Sequence, residues 1–199
     1  MQTPVSQASE RAKIMQAAYQ VLAASDGASI SIADILAAAE LSTRAFYRHF
    51  ESKDGLLLAM FRRDADRVLA ELQAEAAAAD SAAEALRVWI TGMLRLSADP
   101  RRRQRALVLD SGEVTRAKGY RTERDRYEAA ENAALAQILH RGHRDGSFPR
   151  ARPASDAAFI RAALHQAVNE QLSQTAAVGA AEAAQAVLDF ALRALCAAQ

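Results

Sequence analysis

The chain has 199 residues, is rich in alanine and poor in glycine and proline, and carries a formal net charge of +1 at pH 7. Its length allows one domain or two small ones, and the scarcity of β-branched runs favours an all-α fold. The net charge neither supports nor excludes nucleic acid as a partner, so a DNA-binding surface would have to be a local basic patch.

The single cysteine, Cys196, excludes an intramolecular disulfide framework and is typical of a reducing compartment. The N-terminus has no apolar run of signal-peptide length, and no segment approaches the roughly 18 apolar residues that span a membrane. We therefore expect a cytoplasmic protein without a membrane partner.

Three short helices are predicted in an N-terminal domain, residues 9–52, and the first of them starts near residue 9. The second begins at Ser31, whose hydroxyl can form a capping box with Asp34. Ser42 is a good N-cap for the third, Thr43–His49. Two short helices joined by a tight turn and braced by a first helix are typical of a helix-turn-helix.

Longer helices with apolar stripes are predicted in a second domain, residues 53–199. Their predicted starts lie at Lys53, Ser81, Pro100, about Gly119, Ser155 and just after Ala180. This domain is expected to be helical throughout, without internal repeats or a low-complexity linker.

The segment "LSTRAFYRHFESKDGLL", residues 41–57, combines basic and aromatic side chains. On a helix, Phe46 and Phe50 share the face that points into the small core. Thr43 and Arg44 fall on the outer side near the N-terminal end, which is the end of a recognition helix that enters the major groove. Arginine can bind guanine O6 and N7 through two hydrogen bonds, and threonine can contact a base edge or a thymine methyl.

The remaining polar groups of this segment suit phosphates, which set the register on DNA without reading its sequence. Tyr47, His49 and Lys53 are of this kind, and the backbone N–H of Lys53 at a helix start adds an anion site. A basic helix face can equally be only solvated, so the residues alone leave that alternative open.

The string "SIADILAAAELSTRAFYRHFESKDGLLLAMF" resembles the N-terminal DNA-binding region of TetR/AcrR-type transcriptional regulators, over about residues 9–65. The matching positions are Ser31, Ile35, Ser42, Phe46-Tyr47, His49-Phe50, Ser52-Lys53-Asp54 and Leu56. The resemblance implies base contacts from Thr43 and Arg44 and phosphate contacts from Ser31, Tyr47, His49 and Lys53. Ser42 and Arg48 complete the predicted DNA-binding set.

Two positions depart from the pattern of that family. Leu36 stands where the family usually has alanine, which predicts slightly wider packing between the helices. Glu40 stands where the turn usually has glycine. If position 40 needs a positive φ, glutamate costs roughly 1 kcal/mol relative to glycine.

The last two helices carry apolar stripes wider than one packing partner would need. The stripes can be buried inside the monomer, or they can pair with the same helices of a second chain in a two-fold, four-helix interface. The resemblance implies the second arrangement, a homodimer whose two N-terminal domains bind a near-palindromic double-stranded DNA operator.

The middle helices resemble the ligand-binding region of the same family, which implies a small, apolar ligand. The candidate ligand-binding residues are Trp89, Met93, Tyr127, Phe159, His165 and Asn169. The last three positions include a polar pair, His165 and Asn169, that could anchor a ligand in an apolar cavity. Ordinary core packing is the alternative for each of the six.

Nothing in the sequence forms a catalytic, cofactor-binding or metal-binding constellation. No acidic residue stands three positions before any histidine, and HExxH, nucleophile-elbow and phosphate-loop motifs are absent. We therefore expect a transcriptional regulator without cofactor or metal, and in particular a ligand-released homodimeric repressor. The alternative is a non-switching or architectural DNA-binding protein whose helical body only dimerises.

Overall fold

The computed structural model describes residues 4–25 and 29–196, with side chains from residue 8 onward. In these residues the chain forms ten α-helices and no strand, which confirms the predicted all-α fold. The helices are α1 (Pro4–Ala24), α2 (Ile32–Ala39), α3 (Thr43–His49), α4 (Lys53–Ala77), α5 (Ala82–Ala98), α6 (Pro100–Leu109), α7 (Gly112–Thr115), α8 (Tyr120–Asp145), α9 (Pro153–Leu172) and α10 (Ala180–Cys196). No helix among the described residues is both long and apolar enough to cross a membrane.

The helices pack into two compact units. The N-terminal unit consists of the described residues up to Asp64 together with Leu107–Arg124, and the body unit consists of Ala65–Ala106 and the described residues from Asp125 onward. Helix α4 contributes residues to both. The division into functional domains at 9–52 and 53–199 stays a prediction, because these units describe packing rather than function.

Serine caps begin several helices, as the sequence predicts. Ser31 Oγ accepts a hydrogen bond from Asp34 N at 3.1 Å, and Ser31 N donates to Asp34 Oδ2 at 2.9 Å, which completes the capping box. The other capping hydroxyls accept from amides three positions on: Ser42 from Ala45, Ser52 from Gly55 and Ser81 from Glu84. These local bonds explain why the starts of α2, α3, α4 and α5 are predictable.

Two predicted helix starts are wrong, and both errors involve proline. Helix α1 begins at Pro4 rather than near residue 9, and α9 begins at Pro153 rather than at Ser155. Proline is well tolerated in the first helical turn, because its missing N–H would have no intrahelical partner there and its φ suits the helix. The short helix α7 was also missed, and the predicted stop at residues 25–29 lies mostly outside the described residues.

The N-terminal unit is held by apolar side chains from α1, α2, α3 and the start of α4. The fully buried ones are Ile14, Ala18, Ile35, Phe46, Leu56, Leu57 and Met60. A buried hydrogen bond adds to this core, because the Tyr19 hydroxyl donates to Asp64 Oδ2 at 2.8 Å. The predicted inward direction of Phe46 and Phe50 is confirmed, since they are 0% and 5% exposed.

The body unit has its own core, to which α5, α9 and α10 contribute contacting faces. Phe148, in the loop after α8, is fully buried in this core, and its N–H donates to the carbonyl of Gly142 at 2.8 Å. A Cβ at position 142 would lie 2.7 Å from Phe148 Cγ, so glycine is what allows the ring to approach helix α8 this closely. The "DGSF" segment therefore has a packing function in the body unit.

Candidate functional site

The turn between α2 and α3 sets how the third helix is presented. Glu40 has φ 53° and ψ 44°, in the left-handed region, and its N–H points to Ala37 O at 3.4 Å. The next amide, Leu41 N, donates to Leu36 O at 3.2 Å, which is the bond pattern of a Schellman motif. Position 40 thus requires the left-handed conformation, which glycine adopts without cost. The predicted strain of roughly 1 kcal/mol therefore applies to Glu40.

Helix α3 separates its apolar and polar side chains as the sequence predicts. Phe46 lies inside, while Thr43, Arg44 and Tyr47 are exposed, and the Tyr47 ring packs edge-on against Phe46 with centroids 5.3 Å apart. Tyr47 is 57% exposed, a large exposed area for an aromatic side chain. Neither Thr43 nor Arg44 forms a side-chain hydrogen bond or ion pair with a described residue, so both are available to a partner.

The two basic residues at the end of α3 are bound by one carboxylate of α1. Glu10 Oε2 lies 2.9 Å from Arg48 Nη1 and 3.1 Å from His49 Nε2. The His49 side chain is only 8% exposed, whereas that of Arg48 is 32% exposed. His49, which was predicted to contact phosphate, is thus largely enclosed beside an acidic partner in the free chain.

Lys53, at the start of α4, is bound by groups from two other segments. Its Nζ donates to the carbonyl of Ile30 at 2.9 Å and forms an ion pair with Glu113 of α7. Ser29 Oγ lies 3.4 Å from the same Glu113 oxygen. Burial raises the pKa of Glu113, but hydrogen bonding to Lys53 and the lysine charge, with smaller contributions from Ser29 and Arg116, outweigh it, so this pKa lies below its ordinary value.

The predicted DNA-binding residues all belong to the N-terminal unit. Ser31 and Ser42 are exposed, but their hydroxyls already serve the caps of α2 and α3. The acidic partners Glu10 and Glu113 were not predicted. Their contacts join positions 38 to 60 residues apart, and no local pattern in the sequence signals such a pairing.

A family model of bacterial regulatory proteins, the tetR family, matches residues 14–60, the helices just described. Residues 14–60 of the chain thus match the N-terminal region of the tetR family. This confirms the resemblance noted in the sequence. The match covers α2, α3 and the turn at Glu40, so the left-handed glutamate lies inside the matched region.

Solved structures of regulators share the fold over nearly the whole chain. The fatty acid degradation regulator FadR from Bacillus halodurans is 18% identical with a TM-score of 0.77, covering 98% of each chain. FadR from Bacillus subtilis, solved with stearoyl-CoA, is 16% identical with a TM-score of 0.76, covering 92% of this chain and 97% of that one. A TetR-family regulator from Rhodococcus sp. is 20% identical with a TM-score of 0.75, covering 94% and 99%. Such identities show the fold alone, and no curated protein sequence matches the chain.

The six candidate ligand-binding residues of the body unit do not lie in one environment. Trp89, Met93 and Tyr127 are buried, whereas Phe159 is 65% exposed and Asn169 is exposed. Helix α9 turns Ile160 and Leu164 inward instead, which leaves its neighbour Phe159 on the outer side. The expectation that Phe159 lines an interior pocket is therefore not met in the single chain.

His165 has a specific partner in the body unit. Its Nε2 lies 2.9 Å from Oε2 of Glu131, a carboxylate whose side chain is only 1% exposed. A buried carboxylate needs such a partner, because an unpaired charge in the interior is costly. The imidazole is thus engaged with α8 and is not presented to an empty apolar cavity.

A shallow, largely open surface depression of about 400 Å³ lies along α10, and its described lining residues are Asp189, Leu192, Arg193 and Cys196. None of the six candidate ligand-binding residues lines it. The indole Nε1 of Trp89 is buried without a hydrogen-bond partner among the described residues. An orphaned buried donor of this kind costs roughly 1–3 kcal/mol, so Trp89 is the candidate that the geometry singles out.

Proposed function

We propose that the chain is a homodimeric repressor that binds a near-palindromic DNA operator through its TetR-family domain and is released by a small ligand. The DNA-binding part of this proposal rests on the outer face of α3. Thr43, Arg44 and Tyr47 are exposed there, on a helix whose other face is fixed by the buried ring of Phe46. A recognition helix needs this combination of a rigid inner face and free polar side chains near its N-terminal end.

Specific roles follow from the chemistry of each exposed group. Arg44 reads guanine through two hydrogen bonds, and Thr43 contacts a neighbouring base edge. Tyr47 binds a phosphate oxygen, which fixes the register of α3 in the groove. The remaining members of the DNA-binding set, which contact the backbone, are Ser31, Ser42, Arg48, His49 and Lys53.

The proposed dimer uses the outer faces of the last two helices. Their inward residues are already buried in the body unit, so most of both apolar stripes is used within the monomer. Two large side chains remain outside, Phe159 of α9 at 65% exposure and Phe190 of α10 at 47% exposure. Aromatic residues are enriched at interface cores, and these two supply an apolar centre for a two-fold contact.

Release by a ligand rests on the body unit. Trp89 offers a buried donor without a partner, and Met93 and Tyr127 are buried on α5 and α8. We propose a small apolar ligand with a hydrogen-bond acceptor for Trp89 Nε1. Such a ligand weakens DNA binding only if it prefers a body conformation that fits DNA poorly, and DNA then weakens ligand binding by the same factor.

The test is fluorescence anisotropy of the full chain on duplex DNA from upstream of its own gene and on scrambled DNA, each at two salt concentrations. We expect tighter binding to the upstream DNA that persists at the higher salt. Equal, strongly salt-dependent binding to both would favour the architectural alternative, because phosphate contacts alone produce that behaviour. Absence of binding to either at low salt would refute the DNA-binding function.

The dimer is tested separately by sedimentation of Phe190→Ser. We expect this variant to sediment as a monomer at concentrations where the wild type is a dimer. Leu107→Ser is the matched control, since Leu107 is also a large exposed apolar residue, at 38% exposure, but belongs to the N-terminal unit. A wild type that is itself monomeric would refute the dimer.

A further inference from the structure

We propose that Glu113 competes with DNA phosphate for Lys53, so that the α7 segment limits the affinity of the TetR-family domain for duplex DNA. The inference rests on the proposed DNA-binding function and assigns to that function a residue from outside residues 14–60. Glu113 is not a DNA-contacting residue. It acts through the lysine.

The geometry shows how completely Lys53 is engaged in the free chain. Its ammonium donates to Ile30 O at 2.9 Å and is paired with the Glu113 carboxylate, whose own side chain is only 10% exposed. Lys53 keeps 29% of its side-chain surface exposed, so the side chain is not closed off from a partner. A phosphate arriving there meets a lysine whose charge is already neutralised.

The charges decide the sign of the effect. Glu113 is ionised at neutral pH, because its pKa is below the ordinary value despite the burial that opposes ionisation. A phosphate oxygen at Lys53 would therefore lie close to a fixed negative charge, and like charges at short range repel. Either Lys53 breaks its ion pair with Glu113, or the phosphate binds Lys53 against this repulsion. Each alternative weakens the contact between the phosphate and Lys53.

The segment that carries Glu113 is attached to α4 at a second, separate point. Glu123, with a side chain 12% exposed, forms an ion pair with Arg62 of α4. In addition, Lys118 N donates to Oδ2 of Asp54, the residue after Lys53, at 3.1 Å. Arg62 is not in the DNA-binding set, so the Glu123 pair provides a matched control of nearly equal burial, on the same two segments.

The experiment measures binding of the full chain to a fluorescein-labelled 30-base-pair duplex of random sequence over a range of salt concentrations. A phosphate contact does not depend on sequence, so this probe needs no knowledge of the operator. The variants are Glu113→Gln, which keeps an acceptor for Lys53, and Glu123→Gln. Both are also made in a Lys53→Gln background. Thermal unfolding of each variant establishes that it is folded.

We expect Glu113→Gln to bind the duplex roughly 1.5- to 5-fold more tightly at low salt, the range of one partly exposed ion pair. Full recovery of one phosphate contact steepens the dependence of log K on log salt by at most about 0.9. Between 50 and 200 mM salt, the affinity of this variant should therefore fall by up to about 3.5-fold more than that of the wild type. Glu123→Gln should match the wild type, and Glu113→Gln should have no effect once Lys53 is glutamine.

Three results would overturn the proposal. Weaker binding of Glu113→Gln with an unchanged slope would make Glu113 a residue that positions Lys53 for DNA. An equal gain in Glu123→Gln would mean that only the overall charge matters. Persistence of the gain in the Lys53→Gln background would mean that Glu113 acts elsewhere. A wild type that does not bind the duplex at low salt refutes the DNA-binding function itself, a distinguishable outcome.

Discussion

Replacing Glu40 by glycine should stabilise the protein, because position 40 holds a left-handed conformation with φ 53°. An L-residue in that region costs roughly 1–2 kcal/mol, whereas glycine adopts it freely. Glycine also makes the unfolded chain more flexible, which subtracts roughly 0.4–1 kcal/mol. The net gain is about 0.5–1 kcal/mol. For a chain of this length, it raises the melting temperature by about 1–4 °C.

The matched control is Glu51→Gly, which makes the same chemical change in the exposed segment between α3 and α4. Glu51 does not have a positive φ, so only the unfolded-state cost applies there. Differential scanning calorimetry should show Glu40→Gly melting above the wild type and Glu51→Gly below it. If both variants melt below the wild type by similar amounts, the strain assigned to Glu40 does not exist.

Outcomes are also expected for four further variants. Arg44→Ala should relax the preference at one base position and cost roughly 1–3 kcal/mol in binding free energy. Tyr47→Phe should instead weaken binding about equally on all DNA sequences. A binding-site selection with each variant separates the two roles. Gly142→Ala should destabilise the body unit by about 1–3 kcal/mol in urea unfolding, because the new methyl group meets the buried ring of Phe148; a stabilised variant would contradict this packing. Hydrogen bonds from Ser31 hold the pKa of Asp34 below its ordinary 3.8, so the stability lost in Asp34→Asn should be constant above that pH and shrink as the pH falls below it.

The features that could be predicted from the sequence are those decided within one helical turn. The Ser31–Asp34 capping box and the Ser42 cap join atoms three residues apart, so their sequence pattern contains the whole interaction. The same is true of Phe46 and Phe50, which share a face one turn apart. The strain at Glu40 was predictable in the same way, as a departure from glycine at a defined turn position.

The neighbours of the basic residues could not be predicted, because they come from distant segments. Glu10 pairs with Arg48 and His49, and Glu113 pairs with Lys53, so the partners lie 38 to 60 positions apart in the sequence. Most of the helices carry acidic residues, and only the packed fold determines which of them meet the basic residues of the predicted DNA-binding set. The predicted DNA-binding set stays a prediction, and in the free chain three of its basic side chains are paired with carboxylates, which a simple basic patch would not show.

The width of an apolar stripe explains why two neighbouring residues of helix α9 lie in different environments. Phe159 and Ile160 are neighbours in sequence and about 100° apart on the helix, so one stripe contains both. The body core takes Ile160, at 3% exposure, and leaves Phe159 at 65%. A stripe too wide for one packing partner predicts a second partner. The exposed ring of Phe159 lies on the part of the stripe that the body core leaves uncovered. The same residue therefore fails as an interior ligand contact and supports a dimer contact, because a helix that buries one edge of a wide stripe must present the other edge outward.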